Sequence, residues 1–272
     1  MGKILILGSN GMLGTYLTKY LSVNHEVIPS TRNDLDLSKI TFETLEKYID
    51  DLGITSSDYI LNASGIIKQR NYDEIEMVKI NSLLPYFLSA IKEKYNTNII
   101  HFTTDCVYDG DRSLDILLDE NCNHTCNDIY GKSKSLGEPE NITIIRTSII
   151  GEEKNNKKSL LEWVISQKGQ KVMGFKNHLW NGVTCLELSK QVLIMIEDNI
   201  SWQGVRHFYS PDTVSKLDLV EYINKVYKLN LIIEEVSTDN NCFRNLSSIY
   251  KSPITKTIYQ QIIDLKNFNI HE

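Results

Sequence analysis

Alanine is nearly missing from this chain of 272 residues, occurring only at Ala63 and Ala90. Isoleucine, asparagine and lysine take up the difference, a mark of A/T-rich coding that carries no information about activity. Long apolar runs are missing too. No stretch approaches the ~18–20 residues needed to cross a bilayer. The run Ile4–Leu7 is too short for the apolar region of a signal peptide, and Ile6 stands where a myristoylation signal at Gly2 needs Ser or Thr. The expectation is a cytoplasmic protein with no membrane contact. Positive charge is not in excess: 29 basic against 35 acidic residues give a net charge of −6, which argues against nucleic acid as a partner. Any anionic ligand must be held locally. The five cysteines are an odd number in a chain too long to need disulfide staples, which fits a reducing compartment. Cys122, His124 and Cys126 lack the second Cys/His cluster that four-coordinate zinc requires, so no metal is expected.

What is present is a globular composition, 41% hydrophobic and 24% charged, long enough for one large domain with a smaller appendage. Short apolar runs alternate with helical spacing over the first two thirds. Strands are predicted at Ile4–Leu7, His25–Pro29, Tyr59–Leu61, Asn98–Phe102 and Ile142–Ile145. Between them, helices are predicted through Leu13, Leu17, Tyr20 and Leu21, through Phe42, Leu45 and Ile49, from about Asp73 to Lys94, and from near Tyr130. Apolar strands separated by amphipathic helices predict a doubly wound α/β fold with a parallel sheet, Rossmann-like in its βαβ order.

After Ser148 the pattern loosens. Glu152 to Lys158 reads as a flexible polar loop. Helices follow around Leu160–Val164, Leu186–Glu197 and Leu217–Val226, with short strands at Lys171–Met173, Val205–Phe208 and Leu231–Val236. The expected division is a nucleotide-binding domain over residues 1–150 and a smaller α+β cap over 151–272, with some cap segments returning to the sheet.

Gly8-Ser9-Asn10-Gly11-Met12-Leu13-Gly14 follows the first strand and opens the first helix. Glycines there let backbone amides approach a pyrophosphate, whose charge the helix N-terminus favours, so the segment reads as a dinucleotide site. The end of the second strand separates NAD from NADP. A carboxylate there would take the ribose 2′-hydroxyl, whereas arginine accommodates a 2′-phosphate. Here Pro29-Ser30-Thr31-Arg32 carries no acid until Asp34, which favours NADP(H) and leaves NAD(H) possible. Asp36 either caps the next helix or touches the adenine.

Tyr130 and Lys134 are four residues apart and so share a helix face. A phenol with a pKa near 10 needs a neighbouring cation to work close to neutrality, and Lys134 is placed to lower its pKa and to hold a ribose. Thr103-Thr104-Asp105 ends the fourth strand at the carboxyl edge of the sheet, where a hydroxyl can steady a substrate carbonyl. Asn62-Ala63-Ser64-Gly65 ends the third, with small residues suited to lie along a cofactor.

Together with Thr103-Thr104-Asp105-Cys106-Val107-Tyr108-Asp109-Gly110 and Tyr130-Gly131-Lys132-Ser133-Lys134-Ser135-Leu136-Gly137-Glu138, the glycine loop resembles the extended short-chain dehydrogenase/reductase superfamily. Within it the chain is similar to the dTDP-4-dehydrorhamnose reductase family, whose members carry S-T-D-x-V-F-D-G and Y-G-x-S-K-x-x-G-E. Arg146-Thr147, Gly182-Val183-Thr184 and Arg244-Asn245-Leu246-Ser247 also match family positions. The resemblance implies NADPH-dependent reduction of the 4-keto group of a nucleotide-linked 4-keto-6-deoxy sugar. It implies Tyr130 as proton donor, Lys134 as its electrostatic partner and Thr104 as the carbonyl's hydrogen-bond donor.

The implied cofactor residues are Gly8, Asn10, Gly11, Met12 and Leu13 of the loop, then Arg32, Asp36 and Leu37. Asn62, Ala63, Ser64 and Thr103 at the strand ends complete the set with Tyr130 and Lys134. Asp105, Cys106, Val107, Lys68, Trp180, Arg244 and Ser247 are the expected substrate contacts, with Arg70 a further cation for a diphosphate. Departures are concentrated near the substrate: Gly65-Ile66-Ile67-Lys68-Gln69-Arg70 and Ser159 to Thr184, with Trp163, His178 and Trp180, differ from typical members. A UDP-linked 2-acetamido-2,6-dideoxy-4-hexulose is therefore as well supported as dTDP-4-dehydrorhamnose. The alternative is a non-catalytic NADP-binding regulatory subunit like that of methionine adenosyltransferase. A dehydratase is disfavoured because Cys106, not Glu, follows Asp105. A homodimer is compatible with the sequence but not encoded in any motif.

Overall fold

The computed structural model describes residues 2–68, 73–111, 117–155 and 157–271. Four consecutive apolar residues form β1 (Ile4–Leu7), and all four are buried because both faces of the strand are covered. Ile4 and Ile6 join one hydrophobic cluster and Leu5 and Leu7 the other. The chain continues through α1 (Met12–Leu21), β2 (Val27–Ser30), α2 (Phe42–Asp51), β3 (Tyr59–Asn62), α3 (Glu74–Val78), α4 (Leu84–Tyr95), β4 (Asn98–Thr104), α5 (Ile129–Leu136) and β5 (Thr143–Thr147). Leu61 faces one cluster and Ile60 the other, as do Phe102 and Ile99, and Ile145 and Ile144. Two-sided burial is the reason these strands read as apolar runs rather than as alternation.

The second part adds β6 (Ile149–Ile150), α6 (Leu160–Ser166), β7 (Lys171–Phe175), β8 (His178–Trp180), β9 (Val183–Thr184), α7 (Cys185–Glu197), β10 (Gly204–His207), β11 (Val214–Ser215), α8 (Lys216–Tyr227), β12 (Ile232–Val236), β13 (Cys242–Phe243) and α9 (Ile258–Phe268). The main sheet is parallel throughout, in the order β2-β1-β3-β4-β5-β10. β10 brings the later chain back beside β5. Strand order reverses between β1 and β3, which opens a crevice at their carboxyl ends, where ligands sit in such folds. Small sheets β7-β12, β6-β9 and β11-β8-β13 lie outside this layer. No helix of the described residues is long and apolar enough to cross a membrane.

Two local expectations differ from the structure. The helical stretch predicted from Asp73 to Lys94 is interrupted by a π turn at Lys79–Leu83, between α3 and α4. Pro85 has no N–H to give the Asn81 carbonyl, so the regular ladder cannot pass this point and the turn widens. The run from Glu152, expected to be flexible, is tied down at its start. The Glu152 amide donates to the Tyr16 hydroxyl at 3.1 Å, the Tyr227 hydroxyl donates to Glu152 at 2.6 Å, and the Glu153 amide donates to Glu162 at 2.7 Å. Both glutamates are buried, which requires these partners.

Candidate active site

The glycine loop is shaped by close approach. Gly8 adopts φ +76°, and a side chain on it would press on the Ser64 backbone. A Cβ on Gly14 would overlap the Gly8 carbonyl oxygen, so only glycine lets α1 start this near the loop. Ser9 Oγ donates to the Ser30 carbonyl at 2.8 Å and fastens the loop to β2. Among the described helices that begin from a loop, α1 alone has no side-chain cap. Thr41, Asp73, Asp128, Ser159, Thr184, Ser215 and Thr257 cap the others. Its first N–H groups are thereby left to an anion. Gly14→Ala is expected to cost about 2 kcal/mol through this overlap and to lower Tm by roughly 5 °C in a thermal melt; an unchanged Tm would show that the helix start can yield.

This loop forms one end of a cleft of about 780 Å³ over the carboxyl ends of the strands. Gly8, Asn10, Gly11, Met12 and Leu13 line it there, with Arg32 and Leu37 beyond β2 and Ala63 and Ser64 beyond β3. Thr103, Thr104, Tyr130 and Lys134 line the middle, and Asp105, Cys106, Lys68 and Arg244 the far end. The motifs separated in sequence thus share one cavity.

Five expected site residues stand off its walls. Asn62 is fully buried beneath, joined to the Ser64 amide at 3.3 Å and to His101 at 3.1 Å, so it shapes the strand end. Asp36 caps the short 3-10 helix Leu37–Lys39 through the Ser38 amide. Val107 packs in a separate apolar cluster with Tyr108, Leu118 and Leu246. Trp180 is buried behind Ser148, whose Oγ accepts its indole N–H at 2.8 Å, and Ser148 rather than Trp180 reaches the cleft. The Ser247 amide donates to the Leu118 carbonyl at 2.9 Å, which holds that residue outside the cavity. Arg70 lies outside the described residues.

Within the cleft, the Thr104 hydroxyl accepts from the Cys106 amide and donates to the Asp105 carboxylate, both at 3.2 Å, and is a hydrogen-bond partner of the Tyr130 phenol. The Lys134 ammonium donates to the Phe102 carbonyl at 3.4 Å. Burial pushes Lys134 down to about 8, against the pull of Glu138. The phenol of Tyr130 differs from the expectation that Lys134 lowers it. Burial raises its pKa, and the Cys106 thiol adds to this, while the Thr104 hydrogen bond acts in the other direction. Tyr130 is therefore protonated throughout the neutral range, the state required of a proton donor. Burial likewise raises Asp105, opposed by Arg244 and Lys216.

Further side chains hold the site together, of which Asn81 was not visible in the sequence. Asn81, in the π turn, accepts from the Ile66 amide and donates to the Ile66 carbonyl, both at 2.9 Å, and also donates to Ser133 at 3.0 Å. It ties the loop after β3 to the helix that carries Tyr130 and Lys134. Lys68 reaches Asp128, the cap of that helix, at 2.7 Å across the cleft. Arg146 on β5 donates to Tyr108 at 2.8 Å and to Glu138, and meets the ring nitrogens of His207 at 2.8 Å and His124 at 2.7 Å. This buried network anchors the chain just beyond the C-terminal end of α5. His124 is thereby committed to Arg146 and Ser135, while Cys126 stands against Gly131.

The family described as the RmlD substrate binding domain matches residues 2–242. The chain belongs to this family. A dTDP-4-dehydrorhamnose reductase from Aggregatibacter actinomycetemcomitans is 26% identical over 88% of this chain and 84% of its own. The match to the protein of the same name from Burkholderia thailandensis is 30% identical over 139 residues, covering half of this chain and 44% of that one. The crystal structure of dTDP-4-dehydrorhamnose reductase from Bacillus anthracis, in complex with NADP, superposes with a TM-score of 0.83 at 17% identity, over 99% of this chain and all of that one. That likeness establishes that the RmlD-type fold described above is shared.

Proposed function

We propose that this RmlD-family protein is an oxidoreductase that uses NADPH, with NADH also accepted, to reduce the 4-keto group of a nucleotide-diphosphate 4-keto-6-deoxy sugar. The observation that carries this reading is the joining of Thr104, Tyr130 and Lys134 with the glycine loop in one cleft, with the phenol held protonated. Reduction of a ketone leaves an alkoxide that must take a proton, and a phenol of raised pKa is stocked for that direction. The dinucleotide supplies hydride; the protein's share is orientation and charge.

In this reading the loop amides and the start of α1 take the pyrophosphate, and Arg32, Leu37, Ala63 and Ser64 border the adenosine. Thr103 Oγ1, which is buried and finds no partner among the described residues, supports a polar contact at the cleft floor. Lys134 holds the ribose, Thr104 polarises the carbonyl and Tyr130 delivers the proton. Residues 1–150 serve the cofactor and 151–272, apart from β10 in the main sheet, form the substrate cap. Asp105, Cys106, Lys68 and Arg244 face the sugar diphosphate. Arg244 Nε also lacks a partner among the described residues, which suits an incoming anion. Five free thiols suit a reducing cytoplasm. Exposed Ile75, Leu83 and Tyr86 along α3–α4 and Leu136 on α5 support a homodimer, checked by sedimentation equilibrium.

The test is loss of nicotinamide absorbance with dTDP-linked and UDP-linked 4-keto-6-deoxy sugars side by side. Turnover of either supports the reductase and names the nucleotide. Tight cofactor binding with no turnover of any would favour the regulatory-subunit reading instead. Cofactor affinity carries its own pH signature. Lys134 is charged below about 8 and loses its proton above it. NADPH binding is therefore expected to weaken as pH rises through that value, while Lys134→Arg stays flat; a flat wild-type titration would detach Lys134 from the ribose.

A further inference from the structure

The end of β2 offers no carboxylate to a ribose, yet the structure brings one there from another element. Glu76, in the first turn of α3, lines the cleft beside Ser30, Thr31 and Arg32. Its Oε1 accepts from Arg32 Nη2 at 3.0 Å, and the Nε edge of the same guanidinium lies 3.3 Å from Asp36 Oδ1. Arg32 is thus engaged by acids on two edges. The hydroxyl and amide of Thr31 are both bound to Asp34, at 2.6 and 2.8 Å. Asp36 is in turn fixed by Ser38 and approached by Lys39 at 3.9 Å. Arg32, the residue that the sequence offers to a 2′-phosphate, and the neighbouring Thr31 are therefore already matched with carboxylates.

A phosphate monoester at the 2′ position carries close to two negative charges at neutral pH and would meet the Glu76 carboxylate at the same guanidinium. A 2′-hydroxyl meets no such repulsion and can donate to Glu76. We infer that Glu76 is a specificity-determining residue of the cofactor site. It supplies the NAD(H) ribose with the acceptor that β2 lacks and opposes the 2′-phosphate of NADP(H). Arg32 attracts what Glu76 repels, and the pair leaves the site open to both cofactors.

This inference rests on reading the cleft as a dinucleotide site. The full-length protein is titrated calorimetrically with NADPH and with NADH in the absence of sugar nucleotide, as wild type, Glu76→Gln, Glu76→Ala and Arg32→Ala. Removing one like charge from a partly exposed site is worth about a five- to tenfold gain in NADPH affinity. NADH affinity should hold or fall, so both Glu76 variants raise the NADPH/NADH affinity ratio, and Arg32→Ala lowers it. If wild type binds both dinucleotides and the ratio stays within about twofold in both Glu76 variants, the role of Glu76 is overturned while the cofactor site stands. If wild type binds neither, the cofactor site falls and the inference with it.

Discussion

Tyr130→Phe is expected to lower kcat by about a thousandfold while leaving NADPH affinity within roughly a factor of two. The ring is retained, so the half-buried packing of Tyr130 on α5 is kept and only the transferable proton is lost. Hydride delivery would then leave an alkoxide without the phenol that stands beside Thr104 to protonate it. Because burial raises the phenol's pKa, wild-type turnover should show no loss on the alkaline side that belongs to Tyr130 itself. The check is steady-state kinetics beside equilibrium NADPH binding for both proteins. A variant with near-normal kcat would remove Tyr130 from the proton path and leave water or the Thr104 hydroxyl as the donor.

The second large effect is on stability. Arg146 and Glu138 are both almost completely buried, and the guanidinium also meets two histidines and the Tyr108 hydroxyl. Burial opposes the charge on Arg146, and Glu138 more than restores it. Glu138→Gln keeps an acceptor but removes the compensating charge, which is expected to cost about 3 kcal/mol, or roughly 6–12 °C in Tm. Arg146→Met combined with Glu138→Gln should be less destabilising than the sum of the single variants, because no charge is then left unmatched. Urea unfolding of the set measures this. Additive losses, or a single-variant loss below about 0.5 kcal/mol, would mean that the pair is not coupled in the folded protein. The imidazoles respond to pH with a definite sign. Burial and then the Arg146 charge hold His124 and His207 below the ordinary 6.5. Their neutral forms support the fold above that value, and the support is lost as pH falls towards the folded pKa.

The parts of the molecule legible in the sequence are those whose signal is local. β1 and β3 to β5 announce themselves as apolar runs because both faces are covered, and the glycine loop and the Tyr130/Lys134 pair are spaced within one or two helical turns. The π turn is not legible from periodicity, since apolar spacing continues across it. Pro85 marks the place only once the Asn81 carbonyl is known to turn away. β6, β9, β11 and β13 are two residues long and have no period to detect. α9 does carry a local signal, with Ile258, Ile262 and Leu265 at helical spacing behind a Thr257/Gln260 capping box. Glu76, the network around Arg146, and Asn81 are not legible because the partners lie 44, 8 to 61 and 15 to 52 residues away. Such pairings belong to the fold rather than to any window of sequence.

The parallel pairing of β10 with β5 bears on how the chain comes together during synthesis. Thr143 Oγ1 donates to the Trp202 carbonyl at 2.7 Å, and Gly204 to His207 run alongside Thr143 to Arg146. Until residue 207 has left the ribosome, β5 is the outermost strand and one row of its amides and carbonyls has no neighbour. Such a row invites pairing with another nascent chain. The part of the chain that builds the main sheet is therefore not a unit that can finish first and wait. Its last strand arrives only after nearly half of residues 151–272 has been made, so the two parts of the chain share one act of folding.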